Sequence, residues 1–189
     1  MKERTYTIKG IRPLVQHNEQ LADPLNKWAR LVAEISKKKK KTEDDMMEMS
    51  RREWFGGLYY DEESGVHIPE RGLERMLRDA AAKEKRGRDV QAALIVTEPA
   101  KLIYKGPKDP KQMWEDGGFL LRATVGQTGK RIVRSRPMFR DWSLTFTVNY
   151  DESVLQATDL DRFMEVAGRL CGLGDWRPKH GRFNVEKVA

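Results

Sequence analysis

Apolar and polar positions alternate through the run Trp142–Tyr150. Trp142, Leu144, Phe146, Val148 and Tyr150 fall on one side, and Ser143, Thr145, Thr147 and Asn149 on the other. Successive side chains of a strand point to opposite faces, so this run predicts a half-buried strand. A shorter alternation over 5–11 puts Tyr6 and Ile8 on one face, with Gly10 placed for a bulge. Elsewhere the spacing is helical. Leu73, Met76, Leu77, Ala80 and Ala81 form the stripe of a helix opened by Pro69; Leu160, Phe163, Met164, Ala167 and Leu170 form that of a helix stopped by Gly172. Two more stripes predict helices. Leu25, Trp28, Leu31, Val32 and Ile35 follow Asp23-Pro24, read as cap and first turn; Met46, Met49 and Trp54 follow Thr42–Asp45, read as a capping box.

The remaining segments are shorter. Residues 92–96, 101–104 and 182–188 read as strands, 58–60 with 66–68 as a small hairpin, and 106–118 as a loop. Residues 119–125 and 130–136, joined by Gly126-Gln127-Thr128-Gly129, read as a second hairpin. Strand, helix, strand, strand, helix, strand then follow over 5–11, 69–83, 91–104, 142–150, 158–171 and 182–188. This is the βαββαβ order of a ferredoxin-like α+β fold. The expectation is one domain, 1–189, carrying a helical insertion at 22–68 and a basic hairpin insertion at 105–140.

Composition narrows the possibilities. With 189 residues, 39% of them hydrophobic, the chain has enough apolar material for one ordinary core. Its single cysteine allows no internal disulfide and suits a reducing compartment. Met1–Thr5 lacks the apolar centre of a signal peptide, and no apolar run approaches the ~20 residues of a membrane span, so the expected location is cytoplasmic, with no membrane partner. Thirty-six Lys+Arg against 29 Asp+Glu give +7. A basic excess favours polyanions, nucleic acid first.

The excess is localised. Between Arg122 and Arg140 lie six basic residues (Arg122, Lys130, Arg131, Arg134, Arg136, Arg140) and no acid. Like charges this close repel, and a phosphate backbone is the natural compensation. Five of the six are Arg, which suits bidentate phosphate contacts better than a merely solubilising edge does. Arg71, Arg75 and Arg78 recur about one turn apart on the Pro69 helix. A third basic group, Arg177, Lys179, His180 and Arg182, sits in a glycine-rich loop with Trp176. Its N–H groups are candidates for holding phosphate, and the indole for stacking on a base or plugging the core. Lys37–Lys41 form a run that is either a solvated link or a further contact.

The stretch Ile68-Pro69-Glu70-Arg71-Gly72-Leu73-Glu74-Arg75-Met76-Leu77-Arg78 resembles the entry to the first helix in the RAMP superfamily, the RNA-recognition-motif-like proteins of CRISPR effector complexes. The family's usual Ser-Ser pair is replaced by Glu70-Arg71. Gly172-Leu173-Gly174, continuing to Gly181-Arg182-Phe183, is similar to that superfamily's glycine-rich loop and last strand, here interrupted by Asp175-Trp176-Arg177-Pro178. The hairpin sits where backbone subunits of those complexes carry a thumb. The resemblance implies that Arg71, Arg75, Arg78, Arg131, Arg134, Arg136, Arg177, Lys179 and Arg182 face nucleic acid. It also implies that copies stack along a strand. Similarity to stand-alone phage and mobile-element proteins implies work outside a CRISPR complex.

Catalytic signals are sparse. No two of His17, His67 and His180 have metal-ligand spacing, there is no thiol pair, and no cofactor motif is present. His17, His180 and Asp23 are the candidates for a RAMP-type ribonuclease, with or without metal; Asp23-Pro24 already has a local role as a helix cap. The expected function is therefore non-enzymatic binding of single-stranded DNA or RNA, with a ribonuclease or a phage structural or assembly protein as alternatives.

Overall fold

The computed structural model describes residues 1–127 and 129–189, all with side chains except Gln127 and Lys130. In chain order they form strands β1 (Lys2–Gly10) and β2 (Leu14–Val15), helices α1 (Lys27–Ser36) and α2 (Glu43–Gly57), and strands β3 (Tyr60–Asp61) and β4 (Gly65–Ile68). Helices α3 (Glu70–Ala81) and α4 (Gly87–Ala93) follow, then strands β5 (Leu94–Ile95), β6 (Ala100–Lys101) and β7 (Ile103–Tyr104) and helix α5 (Pro110–Asp116). Strands β8 (Leu120–Gln127), β9 (Lys130–Phe139) and β10 (Trp142–Tyr150), helix α6 (Ala157–Val166) and strand β11 (Phe183–Val188) complete the chain. The protein is mixed α+β, with six helices and three antiparallel sheets among the described residues. Met1–Leu14, Tyr60–Lys105 and Phe139–Ala189 form one compact unit; Val15–Tyr59 and Gly106–Met138 form a second. No helix among the described residues is long and apolar enough to cross a membrane.

In the first unit the main sheet has the order β11-β1-β10-β5, with β7 also on β10. β1 and β10 pair from Lys2↔Tyr150 to Lys9↔Ser143, which keeps both alternations in phase. Tyr6, Ile8, Leu144, Phe146, Val148 and Tyr150 are accordingly buried on one face. Helix α6 lies over that face, where Asp161 accepts from Arg4 (2.7 and 2.6 Å) and from the Tyr6 hydroxyl (3.0 Å). Helix α3 packs beside α6. Arg86 ties the region after α3 to α6 by donating to Asp159 at 2.6 Å, and Arg162 on α6 reaches back to Glu84 at 2.9 Å. Gly168 is required here: a Cβ on it would lie 2.3 Å from the Phe183 carbonyl oxygen on β11.

Three expectations for this unit change. The bulge falls between Thr7 and Ile8, not at Gly10; a Cβ on Gly10 would lie 2.1 Å from the indole nitrogen of Trp142, so this glycine makes room for a ring. The expected strand 91–104 begins as a helix. Val90 and Ala93 are its buried residues, three apart, so the apolar run continues a helical stripe before the chain extends into three two-residue strands. Leu170 is exposed, not inside: α6 ends in a π turn, Ala167–Cys171, whose wider winding rotates the stripe out of phase.

The second unit contains α1, α2, α5, β8 and all of β9 but Phe139; β9 pairs with β8 and β2. Its caps are side-chain hydrogen bonds. Asn26, not Asp23, caps α1 by accepting from the Trp28 N–H at 2.8 Å; Asp23 serves a turn ending at Leu25, which stays outside the helix and exposed. Thr42 and Asp45 form the expected capping box of α2. The Lys41 ammonium donates to the Ser36 and Lys38 carbonyls at 3.0 Å, ending α1. Trp54 is buried and donates to the Phe119 carbonyl at 2.9 Å, and Trp28 stacks on Phe55 with centroids 5.5 Å apart. Met46 overhangs this buried stripe in the first turn of α2 and is exposed, against expectation. Helix α5 occupies part of the expected loop 106–118. Asp109 caps it, Pro110 opens it, and Gly117 ends it at φ 72°.

Candidate nucleic-acid interface

Helix α3 turns its apolar stripe inward, which leaves Arg71 and Arg75 exposed and Arg78 half-buried. Asp79 sits between these arginines and the glycine-rich loop. Its carboxylate is 3.9 Å from Arg75, 3.4 Å from Arg78 and 3.1 Å from Arg177, the last arriving from 98 residues away. Three guanidiniums thus meet at the Asp79 carboxylate, and a second acid, Asp175, lies in the adjoining loop. Arg182 donates to the Pro178 carbonyl at 2.9 Å, and Lys179 is exposed. Of the sequence-predicted helix and loop arginines, Arg75, Arg78 and Arg177 therefore come together within the first unit.

An open cleft of about 680 Å³ lies at this junction, walled by Arg75, Asp79, Lys83, Cys171, Trp176 and Arg177. Arg75, Asp79 and Lys83 recur every four residues, so one face of α3 and the turn after it supplies all three. Cys171 is buried in the wall, and burial pushes its thiol pKa up. Sequence reasoning missed Asp79, Lys83 and Cys171, although the four-residue spacing was readable.

The glycine loop is not an open phosphate nest. The N–H of Leu173 donates to Gly181 at 2.9 Å, that of Gly181 to Pro13 at 2.8 Å, that of Gly172 to Ala167 at 2.7 Å and that of His180 to Trp176 at 3.2 Å. These four amides are engaged within the protein: those of Leu173 and His180 close the loop, and those of Gly172 and Gly181 tie it to Ala167 and Pro13. Gly181 makes this possible, since a Cβ there would lie 1.7 Å from the Leu173 carbonyl oxygen. Trp176 is half-buried with φ at 52°, a left-handed conformation unusual for a bulky residue, and its ring centre is 6.2 Å from that of His180. The His180 Nδ1 is buried with no hydrogen-bond partner. Burial, with Lys179 and Arg12 nearby, holds the imidazole below its ordinary pKa.

In the second unit the hairpin splits its basic residues between two faces. The register Arg122↔Ser135 and Gly126↔Arg131 puts Arg122 and Arg131 on one face, both exposed; Arg134 and Arg136 are on the other. Arg134 pairs with the buried Glu53, which also accepts from the Ser135 N–H at 2.9 Å. Arg136 is only 7% exposed and donates to the Ser135 carbonyl at 3.1 Å. These two arginines hold the hairpin's base and do not present their charge to solvent as expected. The Lys130 side chain lies outside the described residues. Arg140, in the first unit, is exposed at the turn between β9 and β10.

The other candidates are scattered. His17 and Asp23 lie in the second unit and His180 in the first; Asp23 accepts from a turn amide. Among the described residues, no group of three or more His, Cys, Asp or Glu is arranged to hold a metal. The outer face of the main sheet offers no stacking platform on β1 and β10, where Thr5 bonds Thr147 (2.8 Å) and Thr7 bonds Thr145 (2.9 Å). Trp142 is in the core, donating to the Arg12 carbonyl at 2.9 Å. No protein-family model matches the chain, and no curated protein is similar enough to count as a relative.

Proposed function

We propose that the protein is a non-enzymatic binder of single-stranded nucleic acid, DNA or RNA, built on a ferredoxin-like core of the RNA-recognition-motif type. The observation that carries this reading is the meeting of Arg75, Arg78 and Arg177 around Asp79. Distant segments bring excess positive charge to one place, and a phosphate oxygen is the partner that planar guanidiniums fit best. Exposed Arg71, Lys179, Arg122 and Arg131 extend the cationic surface within their own units. The ferredoxin-like reading is supported by strand order. With β1, β5, β10 and β11 as first to fourth, the sheet runs fourth, first, third, second, all antiparallel, with α3 and α6 in the two crossovers. The relationship to the RAMP superfamily, the stacking of copies along a strand and a phage or mobile-element setting are part of the same proposal.

A salt-titrated anisotropy assay against single- and double-stranded DNA and RNA tests it, with electron microscopy of the same samples. Single strands are expected to bind, with affinity falling steeply and linearly in log–log form as salt rises, and to form regular assemblies. Binding to none of the four, even at low salt, contradicts the proposal. Strand cleavage in the same samples contradicts its non-enzymatic part.

A further inference from the structure

The cleft beside Asp79 combines three features that a phosphate-backbone contact alone does not need. Its volume, about 680 Å³, falls in the range of small-molecule sites, and its mouth is wide open to solvent. It carries cations on two walls, Arg75 and Lys83 from one side and Arg177 from the loop, against Asp79 and Asp175. It also has flat and apolar surface, from Trp176 and from Leu170, which the π turn turns out of the core to 46% exposure. The loop holds Trp176 at φ 52°, a strained conformation that the closed hydrogen bonding of Leu173, His180 and Gly181 maintains.

We propose that this cleft is a nucleotide pocket: it takes one base against Trp176 and Leu170 and that nucleotide's phosphate against Arg75, Lys83 and Arg177. Aromatic stacking tolerates any base, because every base has a π face, so the pocket recognises nucleotide chemistry and not sequence. The phosphate adds negative charge where Asp79 and Asp175 line the walls with Arg75, Lys83 and Arg177. Occupancy by a nucleotide of a bound strand rests on the single-strand reading above; occupancy by a free mononucleotide does not.

The test compares AMP, adenosine and inorganic phosphate by titration calorimetry at low salt, and a short labelled single strand by anisotropy with AMP as competitor. Arg75 is 66% exposed and Lys83 is also at the surface, so the double variant Arg75→Ala/Lys83→Ala keeps the fold; Trp176→Ala is the second variant. AMP is expected to bind more tightly than adenosine or phosphate, to compete with the strand, and to lose about tenfold or more in affinity in the double variant. If the strand binds but AMP neither binds nor competes, the pocket is overturned while strand binding itself keeps the single-strand reading; a double variant that also holds the strand as well as the native protein does removes Arg75 from the interface. If AMP binds with the expected variant dependence and no strand binds, the pocket stands as a mononucleotide site and the single-strand reading fails. AMP bound equally by native protein and double variant overturns the pocket.

Discussion

At the residue scale, the same side-chain type does two different jobs. Arg75 and Arg131 point their charge outward, whereas Arg134 and Arg136 are consumed in the hairpin's base. The sequence shows the cluster and its Arg bias, but not which positions face which way. That depends on Glu53, which lies 81 residues before Arg134 and has no local signature as its partner. A charge reversal across Arg131, Arg134 and Arg136 would therefore mix weakened binding with disruption of the fold. Arg134→Ala is expected to leave the buried Glu53 carboxylate without its ion-pair partner and to lower stability by about 1–3 kcal/mol, below the ~3–5 kcal/mol of a fully buried pair because Arg134 is 29% exposed. Single-strand affinity should stay within about twofold, since this guanidinium is already engaged. Chemical denaturation and anisotropy on the same variant separate the two effects; a large loss of affinity at unchanged stability would put Arg134 back in the interface.

At the element scale, the long periodic segments and the small hairpin of β3 and β4 were legible, and the stretch 91–104 was not. β10 spans the expected 142–150, and β1, α3, α6 and β11 stand close to their expected places, because two or three turns or pleats of consistent pattern fix the period. Residues 87–104 misled because an apolar run of four or five residues fits a strand and a buried helix end equally well. Helix α5 was legible in principle from Asp109, Pro110 and Gly117, and was masked by the turn-forming composition around it. The attachment of α6 to the sheet leads to a pH prediction. Burial raises the Asp161 pKa, but hydrogen bonds from Arg4 and Tyr6 outweigh it and hold the carboxyl below its ordinary value; the Arg86 hydrogen bond does the same for Asp159. A depressed carboxylate contributes stability that is present above the unfolded pKa, about 3.9, and is lost as pH falls through the folded one. Stability should therefore decline below about pH 4, and Asp161→Asn should flatten that decline. Denaturation midpoints between acidic and neutral pH measure it; an unchanged acid dependence in the variant contradicts the assignment.

At the scale of the whole molecule, charge is organised by unit. The helix and loop arginines gather in the first unit, and Arg122 and Arg131 form a separate pair of exposed cations on the hairpin of the second. The sequence shows three basic segments; it does not show that two of them meet at Asp79, because that meeting is set by how α3 lies against the loop after α6. It also does not show that the amides of Gly172, Leu173, His180 and Gly181 are engaged within the protein. The most direct measurement is the salt dependence of single-strand affinity in the native protein and in Arg75→Glu/Lys179→Glu, both exposed positions. For single strands the slope of log K against log salt falls by about 0.7 for each phosphate that the protein no longer neutralises. The native protein should bind with a slope of several such phosphates, and the variant should bind far more weakly with a slope shallower by about 1.4. Native binding that is absent or insensitive to salt, or a variant with the native slope, would contradict the account.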